Sequence, residues 1–140
     1  MVNTCGFFIL DKKYNVLICH PTNSSVDSWS IPKGLQENNE TVKAAAIREL
    51  EEETSIIVES SDDFVRLPDS PYRKAKKQLV SYLLVVDSRP PTKCDSMVNK
   101  DGKVFPEIDE FKWVSLDKAE ELLHHTQASL IDKIREIIKA

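Results

Sequence analysis

The sequence predicts an α/β fold: strands flanked by helices, in one domain spanning residues 1–140. Three observations point there. Two β-type runs near the N-terminus and a third in the second half, Lys77–Val86, are rich in Val, Ile, Leu and aromatics. Two segments, Thr41–Thr54 and Gln127–Lys139, read as helices. A chain of 140 residues with 41% hydrophobic and 30% charged residues is long enough and apolar enough to bury a core between such layers.

Thr4–Leu10 and Asn15–His20 form strands joined by a turn at Asp11–Tyr14, a hairpin. Pro21–Asp27 is a polar loop without periodicity. Trp29-Ser30-Ile31-Pro32-Lys33-Gly34 and a short polar link lead into the first helix. There Ala44, Ala45, Ala46 and Leu50 favour helix, and Asn38, Asn39 and Glu40 suit its N-terminal end. Ile56–Glu59 is a short strand, Arg89–Gly102 a long loop or hairpin tip, and Phe111–Val114 another strand. Leu116–His124 is a helix. In the Gln127–Lys139 helix, Leu130, Ile131, Ile134, Ile137 and Ile138 make an apolar stripe that serves as core or as a dimer face.

The formal net charge of −4 argues against duplex DNA and anionic membranes as partners. The average conceals a division, however. Gly34–Glu59 holds seven acidic residues against two basic ones; Arg66–Lys77 holds five basic residues against one acidic. The longest near-apolar run, Leu79–Val86, has eight residues and cannot span a bilayer. No basic region precedes an apolar N-terminal core, and Cys5, Cys19 and Cys94 form no metal-ligand spacing. A reducing, cytoplasmic location is the expectation.

The acidic helix carries the chemistry. Glu49, Glu52 and Glu53 stand at i, i+3 and i+4 and share one face. Like charges at that spacing repel, and they sit near the helix C-terminus, where the macrodipole disfavours anions. A hard divalent cation, Mg²⁺ or Mn²⁺, would compensate such a cluster; a solvated acidic face is the plain alternative. The context reads Gly34-x5-Glu40-x7-Arg48-Glu49-Leu50-x-Glu52-Glu53-x-Ser55-Ile56. This resembles the Nudix box, matching every fixed position except its second glycine, here Ser55.

The resemblance implies an α/β/α sandwich with a mixed central sheet. It also implies metal-dependent hydrolysis of a nucleoside diphosphate linked to another moiety. By position Glu52 and Glu53 would be metal ligands together with the Gly34 carbonyl. Glu49 would be a further ligand or the base, and Arg48 would pair with Glu40 to orient the helix against its loop. Ser55 would leave a less ideal helix end without touching the site, since a glycine there would serve a positive φ.

Within that family, Trp29-x-x-Pro32-Lys33-Gly34 is similar to diadenosine polyphosphate hydrolases, with Lys33 near the phosphates; Trp29 packing in the core is the alternative. Tyr72, sixteen residues past the box, would recognise the nucleotide, with Arg73, Lys74, Lys76 and Lys77 on the phosphates. Pro71 beside it resembles a marker of ADP-ribose hydrolases. Glu107, four residues before Phe111, would be an extra metal ligand or alternative base, and Phe111 a stacking partner; Asp109 and Glu110 compete for the acid role. The leading expectation is a diadenosine polyphosphate or related nucleotide as substrate. ADP-ribose or a nucleotide-sugar or dinucleotide coenzyme, a triphosphorylated RNA 5′ end tracked by Arg73–Lys77, and an inert nucleotide-sensing module stand as alternatives. His20 reads as a surface residue or a phosphate contact, and His124 and His125 as helix-terminal cations.

Overall fold

The computed structural model describes residues 1–139. In order, its elements are β1 (Val2–Leu10), β2 (Val16–Pro21), β3 (Lys33–Leu35), α1 (Val42–Thr54), β4 (Val65–Arg66) and β5 (Ser70–Pro71). These are followed by β6 (Lys77–Val85), β7 (Met97–Lys100), β8 (Lys103–Pro106), β9 (Ile108–Val114), α2 (Leu116–Leu122), α3 (His125–Ala128) and α4 (Ile131–Lys139).

β1 organises the sheet. It pairs in parallel with β6 along its whole length and antiparallel with β2 and β3, while β2 pairs antiparallel with β9. β4 and β5 add short antiparallel pairs to β6, so the sheet is mixed. Because both faces of β1 are covered, its run from Thr4 to Leu10 is buried throughout. Phe7 and Ile9 point into a core shared with Ala45, Ala46 and Leu50 of α1. Phe8 and Leu10 point the other way, onto Ala119, Ile131 and Ile134 of α2 and α4. This is the α/β/α arrangement, and the Leu130–Ile138 stripe is core, with Leu130, Ile131 and Ile134 buried.

Local chemistry fixes α1. Thr41 is its N-cap, its hydroxyl accepting the Ala44 amide at 3.1 Å. The helix ends at Ser55, whose φ of 67° and ψ of 8° are left-handed, a conformation that costs a serine about 1 kcal/mol relative to glycine.

Several sequence expectations need correction. Ile56–Glu59 forms no strand, although Ile56 and Val58 are buried in the core that α1 covers. For Arg89–Gly102 the hairpin alternative holds: the segment contains the first arm of the β7–β8 hairpin, closed by Asp101 and Gly102, both at positive φ. The last predicted helix begins at His125 rather than Gln127. It breaks at Ser129–Leu130, where Leu130 N donates to Gln127 O in a tightened i→i−3 bond. Among the described residues no helix is long and apolar enough to cross a membrane.

Candidate active site

Arg48 ties the acidic helix to the loop before it. Its Nε and Nη2 grip both oxygens of Glu40 at 2.8 and 3.0 Å, and Nη2 also donates to Leu35 O at 3.0 Å. Nη1 reaches Glu49 at 2.7 Å and Glu52 at 3.3 Å. One planar fork thus fastens α1 to the end of β3 and to the Glu40 turn, as a point-charge lysine could not. Hydrogen bonds from Arg48 hold the Glu40 carboxyl below its usual range, and the same contacts push the guanidinium further up.

Glu49 and Glu53 point inward and are buried, whereas Glu52 stays half exposed. Burial raises the Glu49 carboxyl, although Arg48 opposes it. Burial also pushes Glu53 up to about 8, reinforced by the negative charge of Glu107 and opposed by Lys33, whose backbone N–H donates to Glu53 at 3.3 Å. Glu107 comes from the turn between β8 and β9 and is held by Ser96, whose hydroxyl donates to it at 2.7 Å.

These groups face a cleft of about 910 Å³ whose lining includes Lys33, Gly34, Glu49, Glu52, Glu53, Lys77 and Glu107. Gly34 is required by close approach, not by φ: a Cβ there would overlap the Glu49 carboxyl group. Because the clash is with the tip of a flexible side chain, Gly34→Ala should displace that carboxylate while the backbone stays in place. We expect the variant to fold with a near-unchanged unfolding temperature and to lose about 100-fold in kcat. Parallel thermal unfolding and steady-state kinetics check this.

The structure divides the predicted substrate residues. Lys33 and Lys77 reach the carboxylate cleft. Tyr72 stands beside it: the Lys77 ammonium lies 4.6 Å from the centre of its ring, and the His124 ring packs on it at 5.5 Å. Arg73 and Lys74 line a neighbouring hollow of about 320 Å³ with Tyr72, Ala75, His124 and His125. Lys76 is exposed and lines neither space. Two further residues, named as substrate-binding candidates, lie away from the cleft, Trp29 in the core place that was its alternative. Trp29 is 6% exposed in the core, its indole N–H donating to Val26 O. Phe111 packs on the α1-side core and does not line the cleft. A register shift opposite Asp109 breaks the alternation that would have put Phe111 on the side of Glu107. His20 bridges Asp109 at 2.6 Å and Ser25 O at 2.8 Å, outside the cleft.

Sequence reasoning missed three contributors. Gln127 is fully buried, and its side-chain amide receives the Ile31 N–H at 2.9 Å and donates to Ser30 Oγ at 3.1 Å, clamping the segment that delivers Lys33 and Gly34. Ser96 steadies Glu107. His124 is the N-cap of α3 and the partner of Tyr72, and burial, then the charges of His125, Lys33 and Lys77, depress its pKa. Lone polar residues in these places leave no periodic signature; only the doubled His124-His125 stands out in the sequence, where it reads as a helix end.

The NUDIX domain family model matches residues 2–134. The chain belongs to the Nudix family. It is 26% identical over 155 aligned positions to the RNA pyrophosphohydrolase of Pelagibacter ubique, an alignment covering 97% of this chain and 92% of that protein. Its fold is similar to that of a C. elegans Ap4A hydrolase, with a TM-score of 0.72 at 21% identity, covering 97% and 98% of the two chains. It is equally similar to the MutT protein of Methanosarcina mazei, with a TM-score of 0.72 at 19% identity over 99% and 96% of the chains. The protein is a Nudix hydrolase, a pyrophosphohydrolase of a family that generally works with divalent metal ions.

The side chains of this Nudix site suit a hard cation: carboxylates line the cleft, and among the described residues no sulfur or imidazole stands on its wall. A carboxyl buried as deeply as Glu53, beside Glu107, has an unmet need for positive charge that Lys33 only partly answers. Among the described residues no three acidic side chains stand close enough to enclose an ion in this arrangement; Glu49 and Glu52 lean on Arg48 instead.

Proposed function

We propose that this enzyme hydrolyses a pyrophosphate linkage in a diadenosine polyphosphate or a related nucleoside polyphosphate, with Mg²⁺ or Mn²⁺. The observation that carries the reading is the position of Lys77, which lines the carboxylate cleft and also lies over the ring of Tyr72. An aromatic platform for a base and an acidic, cation-binding cleft thereby meet at one ammonium, the layout a nucleotide with an attached phosphate chain requires.

Glu52, Glu53, Glu49 and the Gly34 carbonyl are the groups that would hold the cation. When bound, it would neutralise phosphate oxygens and acidify the attacking water. Lys33 and Lys77 bind and orient the phosphate chain from the rim. Either Glu49 or Glu107 would accept the water's proton. Arg48 keeps Glu49 directed into the cleft, and Tyr72 with His124 receives the base.

Tyr72→Ala should raise KM for diadenosine tetraphosphate about ten-fold, with kcat within about two-fold, since stacking contributes about 1–3 kcal/mol per base. A product assay over a nucleotide panel checks the substrate. Turnover of ADP-ribose without turnover of diadenosine tetraphosphate would overturn the leading reading. The relative from Pelagibacter ubique and the basic run Arg73–Lys77 favour a second reading, a triphosphorylated RNA 5′ end. That reading requires release of pyrophosphate from such an oligonucleotide and a rate that falls steeply with salt.

A further inference from the structure

Ser55 stands where the Nudix box has its second glycine, and the structure gives its hydroxyl an occupation that glycine could not fill. Ser55 Oγ lies 2.7 Å from Lys93 O and 2.7 Å from an Asp95 carboxylate oxygen. Both are acceptors, so the single hydroxyl proton serves one at a time. The same short segment closes two carbonyls at the end of α1 that the helix leaves without partners: Lys93 N donates to Thr54 O and Asp95 N to Glu52 O, each at 2.9 Å. The next residue, Ser96, is the one that holds Glu107. Its hydroxyl donates to the Glu107 carboxylate at 2.7 Å, and its carbonyl receives the Glu107 N–H at 2.8 Å. Cys94, between these points, accepts the Ile108 N–H at 3.4 Å and donates to Ser96 O at 3.3 Å. Lys93–Ser96 is therefore a strap. One end is fastened to the C-terminus of the helix that carries Glu49 and Glu53, and the other holds Glu107 on the wall of the same cleft.

We propose that Ser55 is a positioning residue that sets Glu107 against the α1 carboxylates by anchoring this strap. The proposal rests on the reading that Glu107 serves the cleft's chemistry. The two acidic groups come from elements far apart in the chain, and both line the same cleft. Their separation decides how the site meets a phosphate chain, and a hydroxyl at position 55 sets it through Lys93, Asp95 and Ser96.

Ser55→Gly separates this role from folding. Glycine adopts the left-handed conformation freely, so the variant should unfold at the wild-type temperature or above it. Amide hydrogen exchange should become about ten-fold faster at Lys93 and Asp95. With a nucleoside polyphosphate and Mg²⁺, kcat should fall about five-fold while KM changes by less than about two-fold. In a Glu107→Gln background, Ser55→Gly should cost nothing further, because the residue it positions is already disabled. Ser96→Ala should reproduce the kcat loss without altering exchange at Lys93. Wild-type exchange and kcat in Ser55→Gly would overturn the proposal, as would an undiminished loss in the Glu107→Gln background. Wild-type kcat in Glu107→Gln alone would instead remove the role of Glu107 on which the proposal rests.

Discussion

Glu53→Gln should lower hydrolysis by about 1,000-fold or more and at the same time make the cation-free protein more stable at alkaline pH. Both effects follow from one carboxyl, 4% exposed, with its pKa pushed up to about 8 by burial and then by Glu107. A carboxyl whose folded pKa lies above its ordinary value of 4.5 binds its proton more tightly in the folded state. The stability this provides is complete below about pH 4.5 and is lost as pH rises towards about 8. The change is on the order of 4 kcal/mol across that window. Glutamine has the shape of the protonated acid and no charge to desolvate, so the variant should match wild type near pH 5 and exceed it at pH 8. Thermal unfolding in chelator at both pH values measures this. A variant whose stability falls with pH as steeply as that of wild type would show that Glu53 is not the source. Added Mg²⁺ should raise the unfolding temperature of wild type at pH 8 and that of the variant far less, since a ligand stabilises only the state that binds it.

How far such a site can be read from residues alone depends on whether the responsible force is periodic. The α1 carboxylates were legible because helical spacing places Glu49, Glu52 and Glu53 on one face whatever surrounds them, and β6 because a strand covered on both faces is largely apolar from Leu79 onward, with Ser81 as its polar interruption. β4 and β5 were not, since two paired residues at a sheet edge leave no pattern. The β7–β8 hairpin was only half visible: Asp101-Gly102 is a good turn, but its arms alternate weakly because the ribbon is largely exposed. Within the site, Lys33 and Trp29 lie four residues apart on one segment, yet one reaches the cleft and the other the core. Burial of the indole decides that, and burial depends on Leu123 and the helices that follow. Ser55 was legible as a departure from the box, and its left-handed backbone could be anticipated. The bond from its hydroxyl to Lys93 and Asp95 could not, because it joins segments some forty residues apart.

Arg48→Ala should be the most damaging single change to the fold of the site, because Arg48 alone supplies donors to four groups. Without it the buried Glu49 faces the half-exposed Glu52 with no guanidinium between them, Glu40 loses both of its guanidinium bonds, and Leu35 O loses a donor. Removing one partner from a largely buried charge network costs about 3–5 kcal/mol. In a domain of this size that is a fall of about 10–15 °C in unfolding temperature. Arg48→Lys distinguishes charge from geometry. A lysine restores a positive charge near Glu49, but one ammonium cannot grip both Glu40 oxygens while also reaching Glu49 and Leu35 O. We expect it to recover about half of the lost stability and little of the activity. Arg48 does not line the cleft, so the deficit should fall on kcat, through a Glu49 carboxylate no longer held in register, with KM within about two-fold of wild type. A KM defect larger than the kcat defect in Arg48→Lys would mean that the guanidinium binds the phosphate chain itself, contrary to the geometry in which all its donors are spent on the protein.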